Sequence, residues 1–300
     1  MRKIAGRGVA AVAAVFGLIV ALRMLVGPFD FPVQVRAPLN PEGWFALGLV
    51  AALLAAGRGG DFFACRPRGE AGIGAAAALI ALILMAFWRA LGFYFLSDDF
   101  TLVRLARDFR FAGLFTTPGG DGFFRPLGNV SLALTFIWSG ANPAAWHATA
   151  LLLHAANAVL VFLLASRLCA SRLASFFAAA LFAIHGTRPE AAVWIAGRFD
   201  LLATFFVLLG LLFFIRAHGE ETLIGRLYGM AALASMVLAI LSKESAYIFP
   251  LLLFLFLTAK RDLSKARGAL TPFFVTAAAL FAYRLWLFGG IGGYRDGETG

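Results

Sequence analysis

The sequence predicts an all-α, polytopic membrane protein with about nine transmembrane helices. Hydrophobic residues make up 61% and charged residues 14% of the 300-residue chain, where a soluble domain carries about 45–50% and about 25%. The apolar residues fall in runs close to the ~20 residues that cross a bilayer. The charges fall between those runs, with the basic ones gathered on alternate connections. A net charge of +10 would point to nucleic acid in a soluble protein; here it describes membrane topology, and no nucleic-acid partner is expected.

The apolar segments run at roughly 8–27, 43–57, 71–95 and 147–166, then at roughly 173–186, 200–216, 227–242, 246–259 and 269–288. The first reads as a span. A cleaved signal peptide is the alternative, although Arg23 and Met24 stand where small residues would precede a cut. The stretches from Arg172 to Arg216 and from Arg226 to Lys260 have basic ends and polar middles, so each predicts a hairpin. A single helix over either would overshoot the bilayer.

With Arg2, Lys3 and Arg7 inside, the inner connections also take Arg58, Arg66, Arg68, Arg167, Arg172, Arg216, Arg226, Lys260, Arg261, Lys265 and Arg267. Bases outnumber acids there, and acids outnumber bases outside. The positive-inside rule therefore predicts a cytoplasmic N-terminus and an outer C-terminus, with Arg23, Arg89 and Arg284 within spans. Cys65 and Cys169 fall in inner connections, where thiols stay reduced, so no disulfide is expected.

The connection from Leu96 to Trp146 is about 50 residues long, a length that in a compact protein marks a functional loop. It opens on Ser97-Asp98-Asp99-Phe100 directly after an apolar helix. Adjacent carboxylates at a membrane surface repel one another and are costly to dehydrate, which can leave one of them a usable base. Helix capping is the other reading of the same pair. Next, Leu102, Leu105, Ala106 and Phe109 share one helical face, and Arg104, Arg107 and Asp108 another. This predicts an amphipathic helix in the interface plane, near lipid headgroups, or a plain amphipathic connector. Pro118 to Gly122 forms a glycine-rich stretch, and Arg125 follows between Phe123-Phe124 and Pro126, placed to meet a phosphate or carboxylate. A surface arginine among interfacial aromatics is the alternative.

The next outer connection carries His185, Arg188, Glu190, Arg198 and Asp200. The third carries Ser242-Lys243-Glu244-Ser245 between helices shorter than a usual span, so its charges are expected below the outer surface, against protein or a wet cavity. Lys243 and Glu244 either satisfy each other or leave Lys243 to face an anionic ligand. His147 and His154, on the fourth span, predict helix-to-helix or loop hydrogen bonds rather than a metal site, which would need further ligands. Three outer loops thus bring charged groups to one face of an otherwise apolar bundle.

The acid pair after a helix, Arg125-Pro126-Leu127, and the helix from Trp146 to Ala158 together resemble the GT-C class of polyprenyl-phosphate-sugar glycosyltransferases. The closer resemblance is to the O-mannosyltransferase-like membrane proteins that often carry tetratricopeptide repeats. The stretch from Leu181 to Leu202, Leu241 to Ser245 and Gly289 to Tyr294 extend it in the same order.

The resemblance implies a seven-helix catalytic module over 71–288, including the extracytoplasmic loop 96–146, behind an N-terminal two-helix hairpin at 1–70. Residues 289–300 would begin an outer loop. The family's variable second module and repeat domain have no counterpart in these 300 residues, so a fragment or an unusually short member is expected. The implied donor is a sugar on a polyprenyl phosphate, and the implied acceptor a hydroxyl of a protein, lipid or glycan. The reaction would take place on the outer, periplasmic side of the inner membrane.

Within that implication Asp98 is the general base, Asp99 orders the loop or shares the proton, and Arg125, Arg198 and Lys243 neutralise the donor phosphate. Glu190, His185, Arg188, Asp200 and Glu244 would contact substrate or orient those cations. Single-phosphate donors imply no metal and no other cofactor; a divalent cation is the alternative, taken from oligosaccharyl relatives. The competing functions are a multi-span transporter and a non-catalytic membrane scaffold. The acids lie in outer loops, and the ionisable residues within spans are mainly arginines and histidines, which argues against a transport path.

Overall fold

A computed structural model describes residues 72–116, 123–169, 171–185, 188–262 and 266–289. The chain divides into two compact units, Met1–Ala64 and Cys65–Gly300, and the described residues belong to the second. The expected segments at 8–27 and 43–57, the Pro118–Gly122 stretch and the Gly290–Tyr294 motif lie outside the described residues.

Every described element is a helix: α1 Gly72–Phe87, α2 Asp99–Arg107, α3 Pro126–Ser139, α4 Pro143–Leu168, α5 Arg172–Ile184, the single turn α6 Arg188–Ala192, α7 Arg198–Ala217, α8 Leu223–Ser242, α9 Phe249–Ala259 and α10 Ala266–Phe288. Short 3₁₀ turns, Trp88–Gly92, Ile195–Gly197 and Glu244–Ile248, follow α1 and precede α7 and α9. All seven apolar segments expected from residue 71 onward are helical. Gly72–Gly92, Pro143–Leu168, Ile195–Ala217, Leu223–Ser242 and Gly268–Phe288 are long and apolar enough to cross a membrane, while Arg172–Ile184 and Glu244–Ala259 are shorter apolar helices. Leu84, Leu152, Phe177, Met230, Val275 and Trp286 are exposed on their outer faces, the environment that lipid tails would supply.

Both long ambiguous stretches break where polar residues interrupt them, at 185–197 and at Lys243, as a hairpin requires. Gly197 is needed at the first break. A side chain there would come 2.4 Å from the Ala191 carbonyl oxygen and 2.7 Å from that of Glu190.

The long 96–146 connection differs from expectation in holding a second helix, α3. Pro126 occupies its first turn, and Gly140 at φ 57° ends it in a left-handed conformation open to glycine. At 14 residues it is too short to span, yet Leu134, Ile137 and Trp138 are exposed on it.

α4 is the central helix. Apolar packing alone gives little preference for one helix phase in a lipid environment, so polar bonds fix its neighbours. His154 Nε2 meets the Ala183 carbonyl of α5 at 2.8 Å, as expected, and Asn157 Nδ2 donates to the Leu201 carbonyl of α7 at 2.8 Å. Around it lie two main cores. One, between α7, α8, α9 and α10, includes Phe214, Met236, Phe249, Leu253 and Phe273. The other joins Phe95, Leu102, Leu132, Trp146, Ile195 and Phe199.

Candidate active site

The acid pair sits at a bend. After the Trp88–Gly92 turn the backbone extends, Ser97 adopts φ 52°, and α2 begins at Asp99. The two carboxylates meet opposite environments. Asp98 is exposed and touched by the Ser97 hydroxyl, which donates to its Oδ1 at 3.2 Å. Asp99 is 2% exposed, and its Oδ2 accepts the Leu96 N–H at 3.0 Å. Capping does not explain the pair: Asp98 holds the N-cap position in helical backbone geometry without a side-chain cap bond. The Asp99 carboxylate instead reaches backwards and closes the turn that presents Asp98.

α2 has the amphipathic pattern read from the sequence. Leu102 and Ala106 are buried, Leu105 and Phe109 half-buried, and Arg104, Arg107 and Asp108 exposed. Arg107 and Asp108 pair with each other at 2.9 Å. Beyond α2, the chain returns over a cavity of about 270 Å3 whose walls include Phe109, Arg110, Phe123, Arg125 and Asn129. Tyr283 of α10 ties down one edge, its hydroxyl donating to the Phe115 carbonyl.

Arg125 stands where this cavity meets the bundle. Its guanidinium lies 4.0 Å from the Phe123 ring centroid and 5.1 Å from that of Phe199. The ring of Phe199 reaches it past Gly128, where a side chain would come within 2.2 Å of the ring. Arg125 holds Glu244 through a two-pronged ion pair, Nε to Oε2 at 3.0 Å and Nη2 to Oε1 at 2.5 Å. Arg284 Nη1 is 3.9 Å from the same Oε2. Lys243 turns the other way and donates to both Asp200 oxygens at 2.6 Å. Lys243 and Glu244 therefore do not satisfy each other. The helix break sends adjacent side chains in different directions, Lys243 being extended at φ −159° and Glu244 opening a 3₁₀ turn.

The structure thus brings together Arg125, Lys243, Glu244 and Asp200 from three connections between helices and adds Arg284, which the sequence placed within a span. Arg198 is elsewhere: 0% exposed, it donates to Thr135 Oγ1 at 2.6 Å and to the Trp146 carbonyl at 2.9 Å, inside the bundle. His185 ends α5, Arg188 opens α6, and Glu190 is exposed in its first turn. Among the described residues no three metal-binding side chains gather.

Burial holds the Asp99 carboxyl above the usual carboxylate range, against the opposing pull of the Leu96 N–H, His147 and the backbone at Ile195 and Ala196. The folded protein therefore binds this proton at a higher pH than the unfolded chain does. Stability contributed by the protonated form is complete below the unfolded value and is lost as pH rises to the folded one. Thermal unfolding followed in detergent as pH is raised from about 4, the ordinary carboxylate value, is expected to show this loss, and Asp99→Asn to remove that step. An unchanged pH dependence in the variant would assign the step to another group.

The chain is similar to proteins named as O-mannosyl-transferases. Protein O-mannosyl-transferase Tmtc1 of Drosophila melanogaster is 35% identical over 130 residues, covering 43% of this chain and 15% of that protein. Protein O-mannosyl-transferase TMTC1 of Homo sapiens is 32% identical over 186 residues, covering 56% of this chain and 21% of its own length. Protein O-mannosyl-transferase TMTC2 of Mus musculus is 34% identical over 116 residues, covering 39% and 14%. The match spans about a fifth or less of each relative's length. No family model matches the chain, and no solved structure does so significantly. The chain is similar to O-mannosyltransferase-like membrane proteins.

Proposed function

We propose that this chain carries the outer-face reaction centre of a membrane glycosyltransferase that moves a sugar from a polyprenyl phosphate to an acceptor hydroxyl, with inversion at the anomeric carbon. The observation that carries the reading is the split environment of the acid pair. One carboxylate is open to solvent on a fixed turn and its neighbour is buried beneath it, an arrangement that separates a working group from a supporting one. Similarity to curated O-mannosyl-transferases supports the same assignment.

In the proposed step the acceptor oxygen forms a bond to the anomeric carbon as the bond from that carbon to the phosphate oxygen breaks. The hydroxyl proton passes to Asp98 and the bonding pair leaves with the lipid phosphate. Charge grows on that phosphate, and preorganised cations in a partly dry site stabilise it. Arg125 is the first candidate, with Lys243 and Arg284 beside it. Asp200 and Glu244 hold these cations in place and limit the net positive charge. Arg198, fully enclosed, fits a role in joining α3, α4 and α7 beneath the site. Glu190, His185 and Arg188 remain candidates for contacts with substrate.

The relatives' names make mannose and a protein hydroxyl the first pair to test. Purified protein in lipid nanodiscs, given a radiolabelled polyprenyl-phosphate mannose and a Ser/Thr-rich peptide, is expected to label the peptide without added metal. Solute transport without transfer would favour the transporter, and neither activity the scaffold.

A further inference from the structure

One buried titratable group has no place in the proposed chemistry. His147, near the N-terminal end of α4, is 2% exposed, and unlike His154 and contrary to expectation neither of its ring nitrogens closes a hydrogen bond. Its ring is held edge-on by Phe93 at 6.3 Å and faces the carbonyls of Tyr94 and Val193. It therefore stands between the extended segment leading to the acid pair and the turn leading to α7. Asp99 is within its electrostatic reach, and Asp99 Oδ1 is likewise buried without a closed bond. Arg198 acts on His147 from the bundle side.

A buried carboxylate oxygen and an imidazole within electrostatic reach of it, neither closing a hydrogen bond there, are complementary, and leaving either alone is costly. The other Asp99 oxygen holds the Leu96 N–H, so whatever steadies Asp99 also steadies the bend at Ser97 and the direction of Asp98. We propose that His147 is a positioning residue for the Asp98 turn, securing Asp99 from within the bundle. The inference rests on the reading of Asp98 as the base, but its structural half can be tested without any activity.

Amide hydrogen exchange at Leu96 reports the bond to Asp99 directly. His147→Phe, which keeps an aromatic ring against Phe93 but removes both nitrogens, is expected to speed exchange at Leu96 about tenfold, the effect of losing one ordinary hydrogen bond. It should lower kcat with the donor KM unchanged, and His147→Gln, which retains a donor, should recover part of both. In a double variant with Asp99→Ala, exchange at Leu96 should be no faster than in Asp99→Ala alone. His147→Leu takes the place of the phenylalanine variant if that does not fold. Unchanged exchange at Leu96, or effects of His147 and Asp99 that simply multiply, would overturn the inference. If exchange responds as expected while the wild-type protein transfers no sugar, the anchor stands and the glycosyltransferase reading fails.

Discussion

Asp98→Asn is expected to lower the rate of sugar transfer by about 100- to 10,000-fold, the range associated with a positioned general base. Asparagine keeps the size of the side chain and can still accept from the Ser97 hydroxyl, so the turn is conserved and only the ability to take a proton is lost. Asp98 is exposed, and surface substitutions of this kind change stability by about 0.5 kcal/mol or less. The variant should therefore melt with the wild type. Asp99→Asn makes the contrast. It retains an oxygen for the Leu96 N–H, so its defect in transfer should be much smaller, whereas Asp99→Ala leaves that buried N–H unpaired at a cost of about 1–3 kcal/mol. Initial rates with a labelled donor, alongside thermal midpoints, separate the two residues. Full turnover in Asp98→Asn would remove Asp98 from the chemistry and return the choice of base to Asp99.

The helices were legible because crossing a membrane demands long apolar runs, and each expected segment from residue 71 onward is present. What hydropathy supplies is depth along the bilayer normal. It carries no information on rotation about a helix axis, and the site depends on rotation. Arg284 sits within an apolar helix and offers no sign in the sequence that its face meets Glu244. Arg198 reads as one more outer cation, yet as the first residue of α7 it points inward to Thr135 and the Trp146 carbonyl. The proximity of Lys243 and Glu244 in the chain suggested a local pair; only the backbone directions at the helix break decide that they part. α3 escaped notice because its 14 residues fall short of a span, although Pro126 and Gly140 mark its two ends by ordinary start and stop chemistry. The amphipathic face of α2 was readable because burial there follows from local spacing alone.

The ion pair between Arg125 and Glu244 yields the second large effect, in which stability and catalysis fall together in a single variant and separate in a double one. Arg125→Ala leaves Glu244 with the longer ionic contact to Arg284 at 3.9 Å. Breaking a fully buried pair costs about 3–5 kcal/mol, but these side chains are 12% and 29% exposed. Solvent screening therefore reduces the expected loss to about 1–3 kcal/mol. Removing Glu244 as well, in Arg125→Ala with Glu244→Ala, removes the stranded charge and should recover most of that stability. Transfer should not recover with it. If Arg125 stabilises the departing phosphate, both the single and the double variant should lose about 100- to 1,000-fold in kcat. Arg125→Lys should fall between, since an ammonium keeps the charge without the planar fork or the stacking on Phe123. A double variant that regains activity together with stability would make Arg125 a structural partner of Glu244, and the phosphate would then have to be sought at Lys243 and Arg284.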